Sequence, residues 1–346
     1  MPHIVHINLS SAFGGGERQT ANLLSYLSKQ PGLQQTLITK PGNPLADLGR
    51  AAGCQVVSAS NQLQVHFNQA CGGADLVHCH DGRSVYWGWL HRRLTGTPYV
   101  ITRRVEHALS SRWLTRQTYR NASAVICLSR AIQAQVQKIA PEQQRPLIPS
   151  ACFPVPADQA TVTTLRKRFA GKRLIGQIGA LIDLKGQQFT LEVARKMAQT
   201  HPELHFLFLG SGPNQEALRE QAEGLSNVTF EGQVQGIGSY LACMEVLLMP
   251  SLKEGFGSTI LEAMHHHVPV IASEVGGIPD IIQSGKNGLL VPAANSDALR
   301  QALLQLIESP NLNQQLTAGG AGTVRMYAPE VVFSQCWELY EQLWQT

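Results

Sequence analysis

Two glutamates and a pair of glycines mark one loop in the second half of the chain as a place where chemistry could occur. The loop follows an apolar, strand-like run and opens a helix-like one. Its residues are Glu254, Gly255, Phe256, Gly257, Ser258 and Thr259, with Glu262 inside the predicted helix. Glycine lets a backbone approach a ligand closely, and the amides of a helix N-terminus point outward at the positive end of the helix dipole. The loop therefore fits an anion such as a diphosphate beside hydroxyl-rich groups, or else only a tight turn with solvated glutamates.

The elements that would hold such a loop alternate between short apolar strands and helices. In the first half, strands are predicted at 3–9, 35–39, 55–58, 76–78, 99–102 and 124–128, and the glycine loop 14–16 leads into a helix at 17–29. The segments between these strands are long enough to be crossover helices. This alternation predicts a parallel, doubly wound sheet.

Five prolines between Pro141 and Pro156 interrupt this pattern, at a density that neither a helix nor a central strand tolerates, and predict a linker. After it, strands are predicted at 174–178, 204–209, 228–231, 246–249, 270–272 and 288–291, with helices at 187–199, 258–266 and 297–308. A chain of 346 residues also exceeds what one core usually serves. We therefore predict domains at 1–155 and 156–325, and a helical segment at 326–346 whose Trp337 and Trp344 are buried against the first domain.

Several ordered blocks of the second half resemble one known family. The blocks are 208–213, 228–232, 249–264, 268–273, 276–279 and 285–291. Together they are similar to the C-terminal domain of family-4 retaining glycosyltransferases, and more loosely the first half is similar through 14–16 and 75–80. Within that family, the chain resembles the members that build lipopolysaccharide and cell-surface glycans. It implies an α/β GT-B fold, with two Rossmann-like doubly wound domains facing a central cleft and a C-terminal helix packing on the first domain.

The resemblance also implies roles for single residues. Glu254 would bind hydroxyls of the donor sugar, Glu262 the ribose of the nucleotide, and Lys185 the diphosphate, where a fixed ammonium stabilises charge on the leaving oxygen. Outside this context Lys185 would be only a turn lysine. The remaining donor-binding residues are predicted to be Gly15, Gly16, Gly210, Gly255, Phe256, Gly257, Ser258 and Thr259.

Two positions depart from the family pattern. Gly179 is followed by Ala180 where the family often has an arginine, so another cation is expected to help neutralise the diphosphate. The candidates in the first domain are Arg83, Arg103 and Arg104, and the sequence leaves open which of them serves. Arg104 aligns with a histidine that usually faces the reacting sugar. Arginine cannot act as a general base, so Arg104 would orient an anion or support charge. The catalytic residues are thus predicted to be Glu254, Lys185 and Arg104, and the acceptor-binding residues His80, Arg83, Arg103 and His107.

No metal or other cofactor is expected. His78 and His80 share one face of a predicted strand while Cys79 points to the other, which favours a binding role for His80 over a metal cluster. The run 265–267 of three histidines lies at a helix end, where the side chains fan out. The chain holds no C-x-x-C pair, and its cysteines are expected to be reduced and mostly buried: Cys54, Cys71, Cys79, Cys127, Cys152, Cys243 and Cys336.

The charge is mild overall but locally basic. The formal net charge is +4, while arginines crowd the stretch 83–120, where only Asp81 and Glu106 stand nearby in opposition. Such a patch is either a solvated face or a contact for an anionic surface or acceptor. No apolar run approaches the ~20 residues that span a bilayer. We therefore expect a cytoplasmic protein with peripheral contact to the anionic inner membrane surface, and no nucleic-acid partner.

The sequence thus predicts a metal-independent glycosyltransferase that moves a hexose or N-acetylhexosamine, from a UDP-sugar by preference, to a glycan or lipid-linked acceptor. Lipopolysaccharide or surface polysaccharide synthesis is the expected setting. Two alternatives use the same scaffold. One is a nucleotide-sugar epimerase or related enzyme, and the other is a non-catalytic protein that binds nucleotide-sugars.

Overall fold

The computed structural model describes residues 1–60 and 72–344. These form two compact units: Met1–Ala151 with Pro329–Thr346 make unit 1, and Cys152–Ala328 make unit 2. Among the cysteines, Cys71 lies outside the described residues. Of the other six, all are free thiols and only Cys243 is not fully buried.

Unit 1 is built on a six-stranded parallel sheet in the order β3-β2-β1-β4-β5-β6. Its strands are β1 His3–Asn8, β2 Gln34–Thr39, β3 Gln55–Ser58, β4 Leu76–Cys79, β5 Tyr99–Arg103 and β6 Ala124–Cys127. Its described helices are Gly15–Leu27, Leu45–Ala51, Ser84–Thr95, Trp113–Arg120, Arg130–Gln137 and Pro329–Trp344. The central strands read as continuous apolar runs because helices cover both faces of a parallel sheet.

Unit 2 repeats the same plan, with the order β12-β11-β10-β7-β8-β9. Its strands are β7 Arg173–Ile178, β8 Leu204–Leu209, β9 Val228–Gly232, β10 Met244–Met249, β11 Val270–Ser273 and β12 Leu289–Val291. Its helices are Gln159–Arg168, Gln187–Met197, Gln215–Gln221, Ile237–Leu241, Ser258–His265, Ile278–Ile281, Ser296–Glu308 and Pro310–Met326, with a 3-10 turn at Asp183–Lys185. The prediction of two Rossmann-like halves is confirmed.

The core of unit 2 shows why these segments become strands. Every side chain of β8 is buried, and Phe206 and Phe208 are almost fully enclosed. The Phe208 ring stacks on Phe230 of β9 with a centroid distance of 4.8 Å. Helices Gln187–Met197 and Ser296–Glu308 close the core with their apolar faces. Each buried Phe or Leu of this kind stabilises the fold by about 1.5–3 kcal/mol relative to exposure.

The strand orders fix where each unit can bind a ligand. In both sheets the order reverses beside the first strand, at the β1/β4 pair of unit 1 and the β7/β10 pair of unit 2. Loops that leave the carboxyl ends of such a pair diverge to opposite faces of the sheet and leave a crevice, the usual ligand position in open α/β sheets. The loops after β1, β4, β7 and β10 are therefore the first places to look for a site.

The C-terminal helix Pro329–Trp344 belongs to unit 1. Tyr340 is fully buried, and its hydroxyl lies 2.5 Å from His78 Nδ1 on β4. Phe333 packs on Tyr26 of the first helix, with a ring-centroid distance of 5.6 Å. The predicted burial of Trp337 and Trp344 is wrong. Both are only partly buried and pack on each other edge to face, on the same side of the helix as the buried Tyr340.

Candidate functional site

The loop after β10 adopts a conformation that requires glycine. Gly257 precedes the helix Ser258–His265 with φ of +93°, in the left-handed region. A Cβ added there would lie 3.1 Å from Ile260 Cδ1 and 3.4 Å from Glu254 Cγ. The backbone therefore turns tightly enough to present the first amides of the helix, those of Ser258 and Thr259, at the carboxyl edge of the sheet.

Phe256 and Glu262 complete this loop in different ways. The Phe256 side chain is 5% exposed and packs against Tyr327 at a ring-centroid distance of 5.8 Å. Phe256 can therefore offer a ligand its backbone amide but little of its ring. Glu262 is partly buried within the helix. It acts on Cys152, where burial first and the Glu262 carboxylate second raise the pKa of the thiol to about 11.

Lys185 meets Glu254 directly. Lys185 Nζ lies 2.5 Å from Glu254 Oε2, and the two side chains are 25% and 13% exposed. Lys185 sits in the 3-10 turn after β7, and Glu254 in the loop after β10. The strand order thus places the predicted ammonium and the predicted carboxylate at the same switch point.

Main-chain contacts hold the two loops together. Leu252 N donates to Leu184 O at 2.8 Å, and Gly277 N donates to Glu254 O at 2.9 Å. Gly186 has φ of +69°, and a Cβ there would lie 2.0 Å from the Pro250 carbonyl oxygen. Only glycine allows this approach, so the position of Lys185 relative to the β10 loop is fixed by the backbone on either side of it.

A third loop, after β8, supports the same edge. Gly210 has φ of +137°, and its Cβ would lie 2.0 Å from the Gly179 carbonyl oxygen. Leu181 N donates to Ser211 O at 3.0 Å. Gly210, predicted to bind a donor, thus has a packing reason to be glycine in this structure. Asn214 Nδ2 donates to Asp183 Oδ1 at 2.6 Å and ties this loop to the Lys185 turn.

The chemistry of the unit 2 site follows from this geometry. A lysine ammonium and outward-facing helix amides suit the oxygens of a phosphate or diphosphate. Carboxylates at Glu254 in the loop and at Glu262 in the helix that follows suit hydroxyl groups. The site therefore combines donors for an anion with acceptors for a polyol.

Unit 1 carries a separate pocket of about 390 Å³ at the carboxyl ends of β1, β4 and β5. We call it the arginine pocket. Its lining residues are Ser10, Ser11, Ala12, Glu17, His80, Asp81, Gly82, Arg83, Val85, Ile101, Thr102, Arg103, Arg104, Val105 and Tyr119. Four predicted site residues, His80, Arg83, Arg103 and Arg104, are brought together there. Glu17, Asp81 and Tyr119 were missed, because no feature of the sequence links these three distant positions.

The other predicted residues of unit 1 lie around this pocket. His107 is exposed and does not line it, although its carbonyl oxygen accepts a 2.8 Å hydrogen bond from Arg103 Nη2. Gly15 and Gly16 open the first helix, and a Cβ on Gly16 would come within 3.2 Å of Arg104 Cδ. Gly16 therefore leaves room for the stem of Arg104.

His80, which lines the pocket, belongs to a cluster of three buried histidines. His6, His78 and His80 each place one ring nitrogen within 4.8 Å of a ring nitrogen of the other two. This grouping could hold a metal ion. His6 Nδ1 and His80 Nε2 are 3.1 Å apart, while both nitrogens of His78 are within hydrogen-bond distance of hydroxyls, those of Tyr340 and Thr102. Burial, as the first cause, lowers the pKa of all three rings, so they are neutral at pH 7.

The histidine run 265–267, which ends the helix of the unit 2 site, is not wholly exposed. His266 is partly buried and its Nε2 donates to Val155 O at 2.6 Å. His267 is exposed, with φ of +58°. His266 therefore fastens the helix end to the first residues of unit 2.

Comparison with known proteins gives the family. Residues 172–309 match the family model described as glycosyl transferases group 1, and residues 14–150 match the one described as glycosyl transferase 4-like domain. The two models together cover most of the chain, which therefore belongs to the glycosyltransferases that they describe, those of group 1 and family 4. Its fold is GT-B.

One curated relative and two solved structures illustrate the likeness. Phosphatidyl-myo-inositol mannosyltransferase of Mycobacterium leprae is 35% identical over 161 residues, which are 45% of this chain and 43% of that protein. Anabaena HepE in complex with UDP and glucose superposes with a TM-score of 0.84 at 19% identity, over 99% and 100% of the two chains. The lipopolysaccharide outer core galactosyltransferase WaaB gives 0.75 at 18% identity, over 97% and 98%. The two structures show a shared fold.

Proposed function

We propose that the chain is a retaining glycosyltransferase that moves a hexose or N-acetylhexosamine from a nucleotide-sugar, with UDP as the nucleotide, to a glycan or lipid-linked acceptor. The observation that carries the proposal is the Lys185–Glu254 pair beside the helix amides of the β10 loop. UDP in the HepE structure and the names of the relatives support it. The epimerase and non-catalytic alternatives are not favoured, because both family models describe glycosyltransferases.

In this proposal unit 2 binds the donor. The Lys185 ammonium and the amides from Phe256 to Thr259 hold the diphosphate, Glu254 accepts hydrogen bonds from sugar hydroxyls, and Glu262 accepts them from the ribose. Before the donor arrives, Lys185 and Glu254 satisfy each other. Binding then replaces one charge-assisted hydrogen bond with several, which reduces the cost of leaving either charge without a partner.

The transfer step needs no enzyme nucleophile. The bond between the sugar C1 and the diphosphate oxygen breaks, and its electron pair stays on the leaving oxygen. The acceptor hydroxyl oxygen bonds to C1 on the same face, and its proton passes to the leaving phosphate oxygen. Fixed positive charge at Lys185 stabilises the developing negative charge, which is the electrostatic contribution expected of a preorganised site. Arg104 would support charge on the acceptor side.

We propose that the protein works in peripheral contact with an anionic membrane surface, where surface glycans are synthesised. The helix Trp113–Arg120 exposes Trp113 and Leu114, by 65% and 40%, beside the exposed Arg112 and Arg116. Indole rings and arginines suit the boundary of an anionic membrane. Across the described residues, we find no helix whose length and apolar content would let it traverse a bilayer. Flotation with anionic liposomes tests the contact, and a protein that stays wholly in solution would remove it.

The central test is a thermal-unfolding panel of UDP, UDP-glucose, UDP-N-acetylglucosamine, ADP and GDP, run with and without EDTA. A ligand at about 100 times its Kd adds about 2.7 kcal/mol of stability. We expect UDP and a UDP-sugar to stabilise the protein in EDTA, since no metal is proposed. Donor incubated without acceptor should hydrolyse slowly and leave the sugar unchanged, whereas an altered sugar would indicate an epimerase. If no nucleotide stabilises the protein, the proposal fails.

A further inference from the structure

The structure assigns an anionic acceptor to the arginine pocket of unit 1. We infer that the acceptor glycan carries a phosphate or carboxylate, and that Arg103 and Arg104 bind it there. This rests on the proposed function, since it names the class of acceptor. A phosphorylated sugar and an acidic sugar present the same chemistry to a guanidinium, and the experiment below distinguishes them.

The two carboxylates of the pocket are already occupied by main-chain amides. Asp81 Oδ1 accepts from Leu9 N at 2.9 Å and Ser84 N at 3.3 Å, and its Oδ2 accepts from Arg83 N at 3.0 Å. Glu17 Oε2 accepts from Gly14 N at 2.8 Å. These carboxylates hold the loops after β1 and β4 in place. Among the described residues, neither carboxylate forms an ion pair with Arg103 or Arg104.

Arg103 and Arg104 each have one donor, the Nε atom, to offer a ligand. The Nε atoms of Arg103 and Arg104 are buried, and neither has a hydrogen-bond partner among the described residues. Within the same part of the chain, neither arginine forms an ion pair with a carboxylate. A buried donor without a partner costs about 1–3 kcal/mol, and more when the group is charged. An anion in the pocket would remove that cost.

Burial also changes the pKa of Arg104. It lowers the pKa of the guanidinium to about 10, and the nearby Glu17 only partly opposes the shift. The group stays protonated at neutral pH, so a charge is held where solvation is poor. Such a site favours an anion more strongly than an exposed arginine does, because competing water is scarce.

The shape of the pocket suits one sugar with its charged group. Its volume of about 390 Å³ falls within the range of small-molecule sites. Beside the arginines, the pocket has an apolar wall formed by Val85, Ile101 and Tyr119. This wall can pack against a pyranose ring. Arginine forks bind carboxylate and phosphate oxygens in pairs, which would orient the acceptor as well as attract it.

The test measures binding of three sugars that differ in charge: glucose 6-phosphate, glucuronic acid and glucose. Titration calorimetry on the full chain, at about 50 mM salt so that screening stays modest, gives each Kd. We expect at least one anionic sugar to bind ten times more tightly than glucose or better. Stronger binding of glucose 6-phosphate than of glucuronic acid would identify a phosphorylated acceptor, and the reverse an acidic sugar.

Variants locate the preference. The preference is the ratio of the Kd of glucose to the Kd of the anionic sugar. Arg104→Gln and Arg103→Gln should each reduce this ratio at least five-fold, and Arg104→Lys should keep part of the preference. Arg116→Gln, an exposed arginine that does not line the pocket, is the matched control and should keep all of it. Equal binding of charged and neutral sugars, no binding of either anion below about 10 mM, or an undiminished preference in Arg104→Gln would overturn the inference.

Parallel titration with UDP separates this result from the donor proposal. If UDP binds and the anion preference is missing, only the acceptor inference fails. If the preference is present and UDP does not bind, the donor assignment in unit 2 fails. A loss of UDP affinity in Arg104→Gln without loss of sugar affinity would assign the arginine to the donor and contradict the inference.

Discussion

Lys185 Nζ and Glu254 Oε2 lie 2.5 Å apart although 69 residues separate them in the chain. The contact forms because β7 and β10 are neighbours in the sheet and both residues follow the carboxyl end of their strand. Each charge is therefore neutralised by the other in the free protein, and the proposed donor must replace that partner on both sides.

Lys185→Met should lower kcat/KM for the donor by about 10²–10³, because the charge on the leaving oxygen loses its fixed ammonium. The matched control is Lys196→Met, since Lys196 also pairs with a carboxylate of unit 2, that of Asp297 at 2.8 Å, but on the surface. We expect the control to change kcat/KM less than two-fold. Steady-state assays with a UDP-sugar decide it, and equal losses in both variants would contradict the assignment.

Glu254→Gln should reduce turnover strongly while the protein remains folded, because glutamine keeps the shape but weakens hydrogen bonds from sugar hydroxyls. Combined with Lys185→Met, the loss should be well short of the product of the two single losses, since the residues contact each other. A double-mutant cycle on kcat/KM measures this coupling. Strictly multiplicative effects would indicate that the two side chains act independently.

Glu262→Ala should weaken UDP binding about ten-fold or more, which is the loss of a hydrogen bond to a charged group. The 2′,3′-dideoxy analogue of UDP lacks the ribose hydroxyls and should bind the variant and the unchanged protein with nearly equal affinity. Titration of both nucleotides gives the comparison. A variant that loses affinity for the analogue as well would place Glu262 elsewhere than at the ribose.

Gly186→Ala should destabilise unit 2 by more than the ~1–2 kcal/mol that a left-handed conformation costs an alanine. The additional cost comes from the Pro250 carbonyl oxygen, 2.0 Å from the new Cβ. Gly224→Ala is the control, because its φ of +77° is similar and its Cβ would meet nothing within 4 Å. Denaturant unfolding of both variants should show the larger loss at residue 186, and equal losses would refute the close approach.

Acid should destabilise unit 1 through its buried histidines. Burial first, and His3 second, lower the pKa of His6 to about 3, while an unfolded histidine titrates near 6.5. Because the unfolded chain binds the proton first, stability is intact above pH 6.5 and falls as the pH drops from 6.5 towards 3. His6 alone costs about 2 kcal/mol at pH 5. His6→Asn should flatten the slope of unfolding free energy against pH, and an unchanged slope would show that His6 takes no part.

Local patterns in the sequence were sufficient for the strands but not for every contact. Continuous apolar runs such as β8 predicted both the strands and their burial, because a parallel sheet excludes water from both faces. The same patterns suggested buried tryptophans in the last helix, where Tyr340 is fully buried and Trp337 and Trp344 are only partly buried. Which large side chain faces the sheet depends on a rotation that aromatic content alone does not reveal.

The candidate site divides in the same way. Glu254 and Lys185 were predicted through the family resemblance, since their sequence spacing alone does not bring them together. The arginines of unit 1 were visible as a basic stretch. That Asp81 and Glu17 accept main-chain amides, and so leave Arg103 and Arg104 with unused donors, depends on loop geometry that only the structure supplies.

Unit 2 begins and ends at one place, where Cys152 N donates to Tyr327 O at 2.7 Å. It is therefore an insertion within unit 1, whose last helix is encoded after it. During synthesis the ribosome releases β1 to β6 long before Tyr340, so the hydroxyl that meets His78 arrives only after the whole of unit 2. Unit 2 has every one of its strands in a single uninterrupted stretch and can fold first, while unit 1 waits for the helix that follows unit 2 in the chain.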